Sequence, residues 1–266
     1  MITQEQKPLQ QRLQGLRLYG CAASLPEIQK NEILSQHLIQ IVQIEEQERH
    51  RRLLKNRISA TRIKDFEPVA GFDWSWPSKI DKSLIKELLT FEFLKQKTNV
   101  VFLGSSGLGK TMLAQNLVHE AARKGHSAVF IEAVDLLSQL LSEDSRSGLD
   151  RLLKKFAKPD LLAIDEVGYL SYAAAHGDLL LRVIHMRHKS GSTVITTNRP
   201  FSEWIEMFPN AASVTALVDR LTENCEVIQI EGKSYRGKRS LERKEAKVAK
   251  KKKAETTPEA ATPEKT

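Results

Sequence analysis

The sequence predicts an α/β fold, in which a five-stranded parallel sheet is flanked by helices and preceded by a small helical domain. Five short runs are apolar almost throughout, at 99–103, 127–132, 160–165, 192–197 and 225–230. Helical patterns separate these runs, and apolar strands that alternate with helices are typical of a parallel sheet covered on both faces. Before the first run, the pattern from Leu9 to about Lys64 is helical.

Residues 1–64 are predicted to form the helical domain and to bind DNA or a partner. Apolar side chains recur at steps of three and four residues from Leu9 onward, and Pro26 is placed to begin a second helix. A third helical segment, from Glu45 to Arg62, surrounds a few apolar positions with arginine, lysine and histidine. The small domain therefore has one strongly basic helix.

Residues 65–79 are predicted to form an ordered linker. The stretch combines two prolines and a glycine with four aromatic residues, which are Phe66, Phe72, Trp74 and Trp76. Flexible linkers are rarely so aromatic, so we expect these rings to pack against the domain that follows. Stacking of one ring on a nucleotide base is the alternative.

Residues 80–237 are predicted to form the main domain. Its helices are expected at about 81–96, 110–124, 133–158, 175–190 and 201–222. Residues 238–266 are predicted to be a basic, disordered tail, because they are rich in Lys, Glu, Ala, Thr and Pro and have almost no apolar bulk.

Positive charge is concentrated at the two ends of the chain. The formal net charge is +8, with +3 in residues 1–70, −2 in residues 71–232, +9 in residues 233–253 and −2 in the last residues. Clustered Lys and Arg release counterions from phosphate backbones, so this pattern predicts an enzymatic body that its basic ends bring to a polyanion. A purely solubilising role for these charges is the alternative.

Membrane and disulfide classes are disfavoured. The sequence has neither a charged-then-apolar leader nor an uncharged stretch of the roughly 18 to 20 residues that would span a bilayer. We therefore expect a soluble, cytoplasmic protein without a membrane partner. Cys21 and Cys225 match no paired metal-ligand spacing, which predicts buried free thiols instead of a disulfide framework or a zinc site.

The segment GSSGLGKT fits the P-loop pattern and lies between a strand and a helix, as its mechanism requires. Its glycines let backbone N–H groups turn toward phosphate oxygens, and the helix N-terminus adds its positive dipole end. Lys110 is expected to reach the β- and γ-phosphates of ATP, while Thr111 offers its hydroxyl to Mg²⁺. The predicted nucleotide-binding residues are Gly104, Ser105, Ser106, Gly107, Leu108, Gly109, Lys110 and Thr111.

The segment LLAIDE is an apolar strand that ends in two acids. Asp165 at the strand tip is predicted to hold Mg²⁺ through its water shell, and Glu166 is predicted to polarise an attacking water. This pairing favours hydrolysis over transfer of phosphate to a second substrate. Two acids on a solvated turn are the alternative, which the preceding apolar run disfavours.

Two further residues are candidates for a catalytic role. Asn198 ends the TTN element after the fourth strand, where it could hold the lytic water or sense the γ-phosphate; a plain turn residue is the alternative. Arg220 lies near the end of a helix before the last strand. An arginine there can reach the γ-phosphate of a neighbouring subunit, and the alternative is an ion pair with Asp219 or Glu223.

These motifs, taken in order, resemble the IstB family of transposition helper ATPases. The resemblance covers about residues 9–237, in the segments RLQGLRLYGCAASL, ERHRRLLKNR, GSSGLGKT, LLAIDEVGYL, GSTVITTNRPFSEW and EVIQIEGKSYR. Membership would imply an AAA+ fold with strand order 5-1-4-3-2, ATP-dependent oligomerisation on DNA, and delivery of target DNA to a transposase. Related DnaC-type helicase loaders share the core and the SYR element, Ser234 to Arg236.

The chain departs from the family pattern at 222–224, at 171–176 and in its long Lys-rich tail. None of these touches the phosphate machinery. The function expected is an ATP-dependent DNA-binding helper of a transposase, which assembles as a homo-oligomer on duplex DNA and remodels it. A DnaC-like replicative helicase loader is the alternative in the same class; a small-molecule kinase and a nucleotide-switched adaptor with negligible turnover are alternatives from other classes.

Overall fold

The computed structural model describes residues 8–169, 174–208 and 210–238. The chain divides into two compact units, Met1–Ser59 and Ala60–Thr266. The predicted tail beyond residue 238, the first seven residues and part of the departure at 171–176 lie outside the described residues.

The first unit consists of helices: α1 (Leu9–Gly15), α2 (Tyr19–Ala23), α3 (Leu25–Ile28) and α4 (Glu32–Ala60). The second and third predicted helical segments were wrongly separated, because they form one helix of 29 residues. No glycine or proline interrupts this stretch, and the Asn31 side chain accepts a hydrogen bond from the Leu34 N–H at 3.1 Å at its start. Pro26 begins only the short α3.

Two of the arginines in the first unit hold its helices together. Arg12 pairs with Glu46 at 2.8 Å, with side chains only 8% and 13% exposed. Arg49 donates to the Gly15 carbonyl at 2.6 Å. The small apolar core next to these contacts consists of Leu13, Ala22, Leu25 and Val42. Arg49 therefore has a structural role that its place in the basic segment did not indicate.

The second unit is built on five parallel strands: β1 (Asn99–Gly104), β2 (Ala128–Glu132), β3 (Leu161–Val167), β4 (Ser192–Thr197) and β5 (Cys225–Ile230). Their order is β2-β3-β4-β1-β5. The predicted five-stranded parallel sheet and its strand order are thus confirmed. Because all strands run in one direction, their carboxyl ends share one edge of the sheet, where the predicted phosphate and acidic residues follow β1 and β3.

The described part of the second unit has eight α-helices, of which two precede β1 and six lie between strands. They are α5 (Lys82–Leu88), α6 (Glu92–Gln96), α7 (Lys110–Arg123), α8 (Ala133–Leu141), α9 (Arg146–Ala157), α10 (Ala174–Arg187), α11 (Trp204–Met207) and α12 (Ala211–Thr222). Apolar side chains pack in two clusters, one with Val101 and the other with Val100 and Phe102. Because neighbouring strand residues point to opposite faces, the two clusters cover the two faces of the sheet.

Three stretches that were predicted as single helices are broken. The Ser145 side chain accepts a hydrogen bond from the Gly148 N–H at 3.0 Å, which caps α9 and separates it from α8. Phe208 is extended at the break between α11 and α12, as the following proline in the sequence favours. Phe91, with a φ of 69°, separates α5 from α6.

The predicted linker packs along the second unit. The Asn116 side chain on α7 donates to the Glu67 carbonyl at 2.8 Å and accepts from the Val69 N–H at 2.8 Å. Phe66 stacks on His119 with ring centroids 4.0 Å apart, and Phe72 is buried in the core. No described helix is long and apolar enough to cross a membrane.

Candidate functional site

The loop between β1 and α7 requires glycine at two positions. Gly107 and Gly109 have φ angles of 77° and 87°, in the left-handed region that other residues rarely adopt. A Cβ at Gly107 would overlap the Ser234 side chain, and one at Gly109 would overlap the Phe72 ring. The backbone here thus forms a close-fitting cradle at the N-terminus of a 14-residue helix, an arrangement that suits bound phosphate.

Lys110, the first residue of α7, is held against this loop. Its ammonium donates to the carbonyls of Gly104 at 2.7 Å and Ser105 at 2.8 Å, and the residue is only 6% exposed. Desolvation lowers the pKa of Lys110, the negative charge of Asp165 opposes this shift, and Arg236 adds to it. An ammonium has three N–H donors, and the two carbonyls use two of them. The third is suited to bind an anionic phosphate oxygen.

Thr111 and Asp165 lie together at the carboxyl edge of the sheet. The Thr111 hydroxyl donates to Asp165 Oδ1 at 3.2 Å, and the Thr196 hydroxyl donates to the same oxygen. Asp165 is 3% exposed, and desolvation raises its pKa although both hydroxyls and Lys110 oppose the shift. The hydroxyl and carboxylate oxygens are ligands of the kind that Mg²⁺ prefers, so these residues fit the predicted metal.

Glu166 occupies an irregular point of β3. The register between β3 and β4 shifts between Ile164 and Val167, and Glu166 has a φ of 58°. Its N–H donates to the Thr196 hydroxyl at 2.9 Å, which stabilises this bulge. Desolvation raises the pKa of the Glu166 carboxyl, and the charges of Asp165 and Glu132 raise it further. A carboxyl with a raised pKa beside a phosphate cradle is suited to act as a general base.

A cavity of about 840 Å³ joins these groups. It is lined by residues 65, 67, 68, 70–73, 76 and 77 of the linker, by 107–112 and 115, and by Glu166, Tyr169, Thr196, Tyr235 and Arg236. Of the predicted nucleotide-binding residues, Gly104 and Ser105 contribute the carbonyls that hold Lys110, and Ser106 is hydrogen-bonded to the Tyr169 hydroxyl. Residues 107–111 of the predicted P-loop and Glu166 therefore line one cavity, and Asp165 is hydrogen-bonded to Thr111 beside it.

Sequence reasoning did not assign site roles to Tyr169, Thr196, Tyr235 and Arg236. The Tyr235 N–H donates to the Gly107 carbonyl at 2.8 Å, so the segment after β5 lies on the phosphate loop. The SYR element was the available signal for Tyr235 and Arg236, and Thr196 belongs to the TTN element. The sequence pattern could not reveal that the segment after β5 contacts the phosphate loop, because more than a hundred residues separate the segment from the loop.

Asn198 follows β4, the strand beside β1, and does not line the cavity. Its Oδ1 is buried without a hydrogen-bond partner among the described residues. A buried amide oxygen of this kind is costly when it is unsatisfied. The predicted role of Asn198 in holding water or sensing phosphate stays a prediction.

Arg220 on α12 lies in a different place from the other predicted catalytic residues. It lines a second cavity, of about 310 Å³, together with Asn99 and Thr193 at the amino ends of β1 and β4. Its guanidinium donates to the Ala216 carbonyl at 3.1 Å. Among the described residues Arg220 has no ion pair, and Glu223, one partner in the intrachain alternative, is paired with His188 and Lys189.

The fold and the site together define the class of the protein. The sheet has the order β5-β1-β4-β3-β2, with a phosphate loop after the interior strand β1, Lys110 and Thr111 at the start of the next helix, and two acids at the end of β3. This combination is that of a P-loop ATPase of the AAA+ kind, a class that binds ATP.

Comparison with known proteins identifies the family. Residues 12–243 match the family described as IstB-like ATP binding protein, and the chain belongs to this family. It is 34% identical over 202 residues, 76% of this chain and 80% of the relative, to a protein of insertion sequence IS5376 from Geobacillus stearothermophilus that is named as ATP-binding. A corresponding IS21 protein from Pseudomonas aeruginosa is 31% identical over 219 residues, 82% of this chain and 83% of the relative.

The fold also has a counterpart among solved structures. The crystal structure of DnaI superposes with a TM-score of 0.50 at 18% identity, covering 66% of this chain and 92% of that chain. At this identity the likeness shows a shared fold only. The resemblance that the motifs predicted is thus confirmed at the level of the family and of the AAA+ fold.

Proposed function

We propose that this chain is an ATP-dependent DNA-binding helper of a transposase, which assembles on target duplex DNA, remodels it and stimulates transposition. The observation that carries the proposal is the extent of the family match. It runs from residue 12 to residue 243, so it includes the basic helical unit as well as the ATPase unit. The two relatives described above belong to insertion sequences by name.

The proposed chemistry is hydrolysis of the γ-phosphate by water. Lys110 and the loop N–H groups hold the phosphates, and Glu166 accepts a proton from a water molecule as that water attacks the γ-phosphorus. The bond between the β- and γ-phosphates breaks, and the products are ADP and inorganic phosphate. Thr111 and Asp165 would hold Mg²⁺, which supplies positive charge to the phosphate oxygens when it is bound. The proximity of Thr111 and Asp165, at 3.2 Å, supports this assignment.

Arg220 is proposed to complete the site of a neighbouring copy. In its own chain it lines a cavity at the opposite end of the strands from Lys110 and Glu166. A guanidinium that has no ion pair among the described residues is available to a γ-phosphate presented by another copy. Hydrolysis would then require a homo-oligomer, in which ATP lies between subunits.

The basic part of α4 is the proposed DNA surface. The side chains of Arg51 and Arg52 are 76% and 66% exposed, and Lys55 is exposed nearby. Helix α4 contains no Phe, Tyr or Trp that could stack on unpaired bases, so duplex phosphates are the better partner. Binding of this kind is independent of sequence.

The experiment that tests the proposal compares duplex with single-stranded DNA. With a non-hydrolysable ATP analogue, we expect the protein to bind duplex DNA more tightly than a single strand of equal length, and to stimulate strand transfer by the transposase of the same insertion sequence. The proposed alternative, a DnaC-like helicase loader, would prefer single strands and bind a replicative helicase. Preference for single strands without any effect on strand transfer would contradict our proposal.

A further inference from the structure

The proposed ATP cavity has polar groups for the phosphates at one end, and its aromatic side chains are the candidates for contact with the nucleobase. Among the described residues, four aromatic side chains line the cavity: Phe72, Trp76, Tyr169 and Tyr235. Phe72 is only 9% exposed and packs against Gly109. The Tyr169 hydroxyl is hydrogen-bonded to Ser106 of the phosphate loop. Trp76 and Tyr235 are the remaining rings, and both are half-buried.

Trp76 and Tyr235 are fixed relative to each other although they are far apart in sequence. Their ring centroids lie 6.0 Å apart at an interplanar angle of 70°. The Trp76 indole N–H donates to the Lys233 carbonyl at 2.7 Å, and the Tyr235 backbone N–H donates to the Gly107 carbonyl at 2.8 Å. The two rings form a preorganised apolar surface beside the phosphate loop, as a flat heteroaromatic base requires.

A cation and a carboxylate hold these two rings in place. The Lys238 ammonium lies 4.4 Å from the centroid of the Trp76 ring and 5.4 Å from that of Tyr235. It also pairs with Asp73 at 3.3 Å. The Ser75 hydroxyl and backbone N–H lower the pKa of Asp73, and Lys238 lowers it further, so the carboxylate is charged at neutral pH.

The two segments that carry these residues are joined as a short ribbon. Lys79 and Glu231 exchange backbone hydrogen bonds at 3.3 and 3.0 Å and form an ion pair at 3.2 Å. Gly232, with a φ of 150°, allows close approach, because a Cβ there would lie 3.1 Å from the Ser78 nitrogen. The segment after β5 is thereby held against the linker.

We propose that Trp76 and Tyr235 bind the adenine base of ATP and that Asp73 and Lys238 hold these rings in position. The segment after β5 then supplies half of the base site and joins it to the phosphate loop through Gly107. Asp73 and Lys238 are positioning residues, because Lys238 contacts the rings and Asp73 pairs with Lys238. The inference rests on ATP binding to this cavity and is independent of the proposed roles in DNA binding and transposition.

The test separates base binding from phosphate binding by using two probes, ATP and inorganic tripolyphosphate, each with Mg²⁺. Loss of a stacking ring in Tyr235→Ala should weaken ATP binding at least about fivefold. Affinity for tripolyphosphate should stay unchanged, since the Tyr235 backbone N–H still reaches Gly107. Trp76→Phe should retain most of the ATP affinity that Trp76→Ala loses, because a ring remains.

Asp73→Asn and Lys238→Met should each weaken ATP binding about two- to fivefold, again without changing tripolyphosphate affinity.

Phe66→Ala is the matched control, because Phe66 is an aromatic residue of the same linker that stacks on His119 and does not line the cavity. Its ratio of ATP to tripolyphosphate affinity should equal that of the unmodified protein. If Trp76→Ala does not fold, Tyr235→Ala decides the matter. Equal losses for ATP and tripolyphosphate in Tyr235→Ala, or no loss of either, would overturn the proposal.

Discussion

At the residue scale, Lys110 and Glu166 have separable roles. Lys110→Ala is expected to remove ATP binding, because the ammonium that touches the loop carbonyls at 2.7 and 2.8 Å is the main positive charge inside the cradle. Glu166→Gln is expected to retain ATP binding and to lower turnover about a hundredfold or more, since the amide cannot accept the proton of water. Equilibrium binding of a fluorescent ATP analogue and phosphate release measure the two effects. Hydrolysis at the unmodified rate in Glu166→Gln would show that another group is the base.

The raised pKa of Glu166 predicts that the rate of hydrolysis falls off on the acid side, the acid limb of its pH profile, at a higher pH than an ordinary Glu would give. The ordinary value is 4.5, and desolvation, Asp165 and Glu132 all raise the pKa in the folded protein. Since the base must be deprotonated, the rate should fall with decreasing pH at a value above 4.5. Glu132→Gln removes one of the charges that raise the pKa and should move the acid limb to lower pH. Because kcat/KM reports the protein without bound ATP, a fall of kcat/KM centred at pH 4.5 or below would contradict this assignment.

Arg187 is predicted to be a main determinant of stability in the ATPase unit. It is 1% exposed, and its guanidinium donates to the carbonyls of Phe156, Ala157, Pro159 and Ser192 and to the Thr193 hydroxyl. Desolvation lowers its pKa to about 10, so it remains charged at neutral pH. Arg187→Lys should cost about 2 kcal/mol or more, because three ammonium donors cannot satisfy all of these acceptors.

This cost can be measured by unfolding the protein in urea and monitoring tryptophan fluorescence. The signal reports on the ATPase unit, because Trp74, Trp76 and Trp204 all lie there. Arg182→Lys on the same helix is the control. Arg182 pairs with Asp150 at 3.1 Å with both side chains about half exposed, so its replacement should change the free energy of unfolding by at most about 0.5 kcal/mol. Equal effects of the two substitutions would contradict the role of Arg187.

At the element scale, strands and site motifs could be predicted more fully than helix boundaries. The interior strands β1, β3 and β4 are almost fully buried, and β5, an edge strand with Ile228 and Ile230 buried, still has enough apolar residues to be recognised. The P-loop pattern located the turn between β1 and α7. The breaks before Arg146 and Ala211 depend on single caps, Ser145 and Asn210, within stretches that are otherwise periodic. The contacts of Tyr235 and Lys238 with the linker join distant parts of the chain, and no local pattern encodes them.

Helix α4 is expected to bind DNA through phosphate contacts. Replacement of Arg51, Arg52 and Lys55 by glutamine together should reduce the slope of log affinity against log salt by about 2 to 3, since each phosphate contact contributes about 0.9. Titration of duplex DNA at several salt concentrations measures the slope. Glu48 pairs with both Arg51 and Arg52 at 2.8 Å, so Glu48→Gln is a matched control that removes charge of opposite sign and should strengthen binding. An unchanged slope in the triple variant would place the DNA surface elsewhere.

At the scale of the whole molecule, the residues proposed for catalysis lie in two separate places of one chain. Lys110 and Glu166 line the first cavity, and Asp165 is hydrogen-bonded to Thr111 beside it, whereas Arg220 lines the second cavity, at the amino ends of β1 and β4. An assembly in which each copy presents Arg220 to the next is a heterologous arrangement, which forms rings or helical filaments. In such an assembly, ATP bound between copies would be expected to favour binding along DNA.

The measurement that tests this account most directly is ATP hydrolysis by mixtures of Arg220→Ala and Glu166→Gln on duplex DNA. Each variant alone should be nearly inactive, because every interface lacks either the base or the arginine. In an equal mixture, about a quarter of the interfaces pair an intact Glu166 with an intact Arg220, so about a quarter of the unmodified rate should return. No return of activity at any mixing ratio, or full activity of Arg220→Ala alone, would contradict a catalytic site shared between copies.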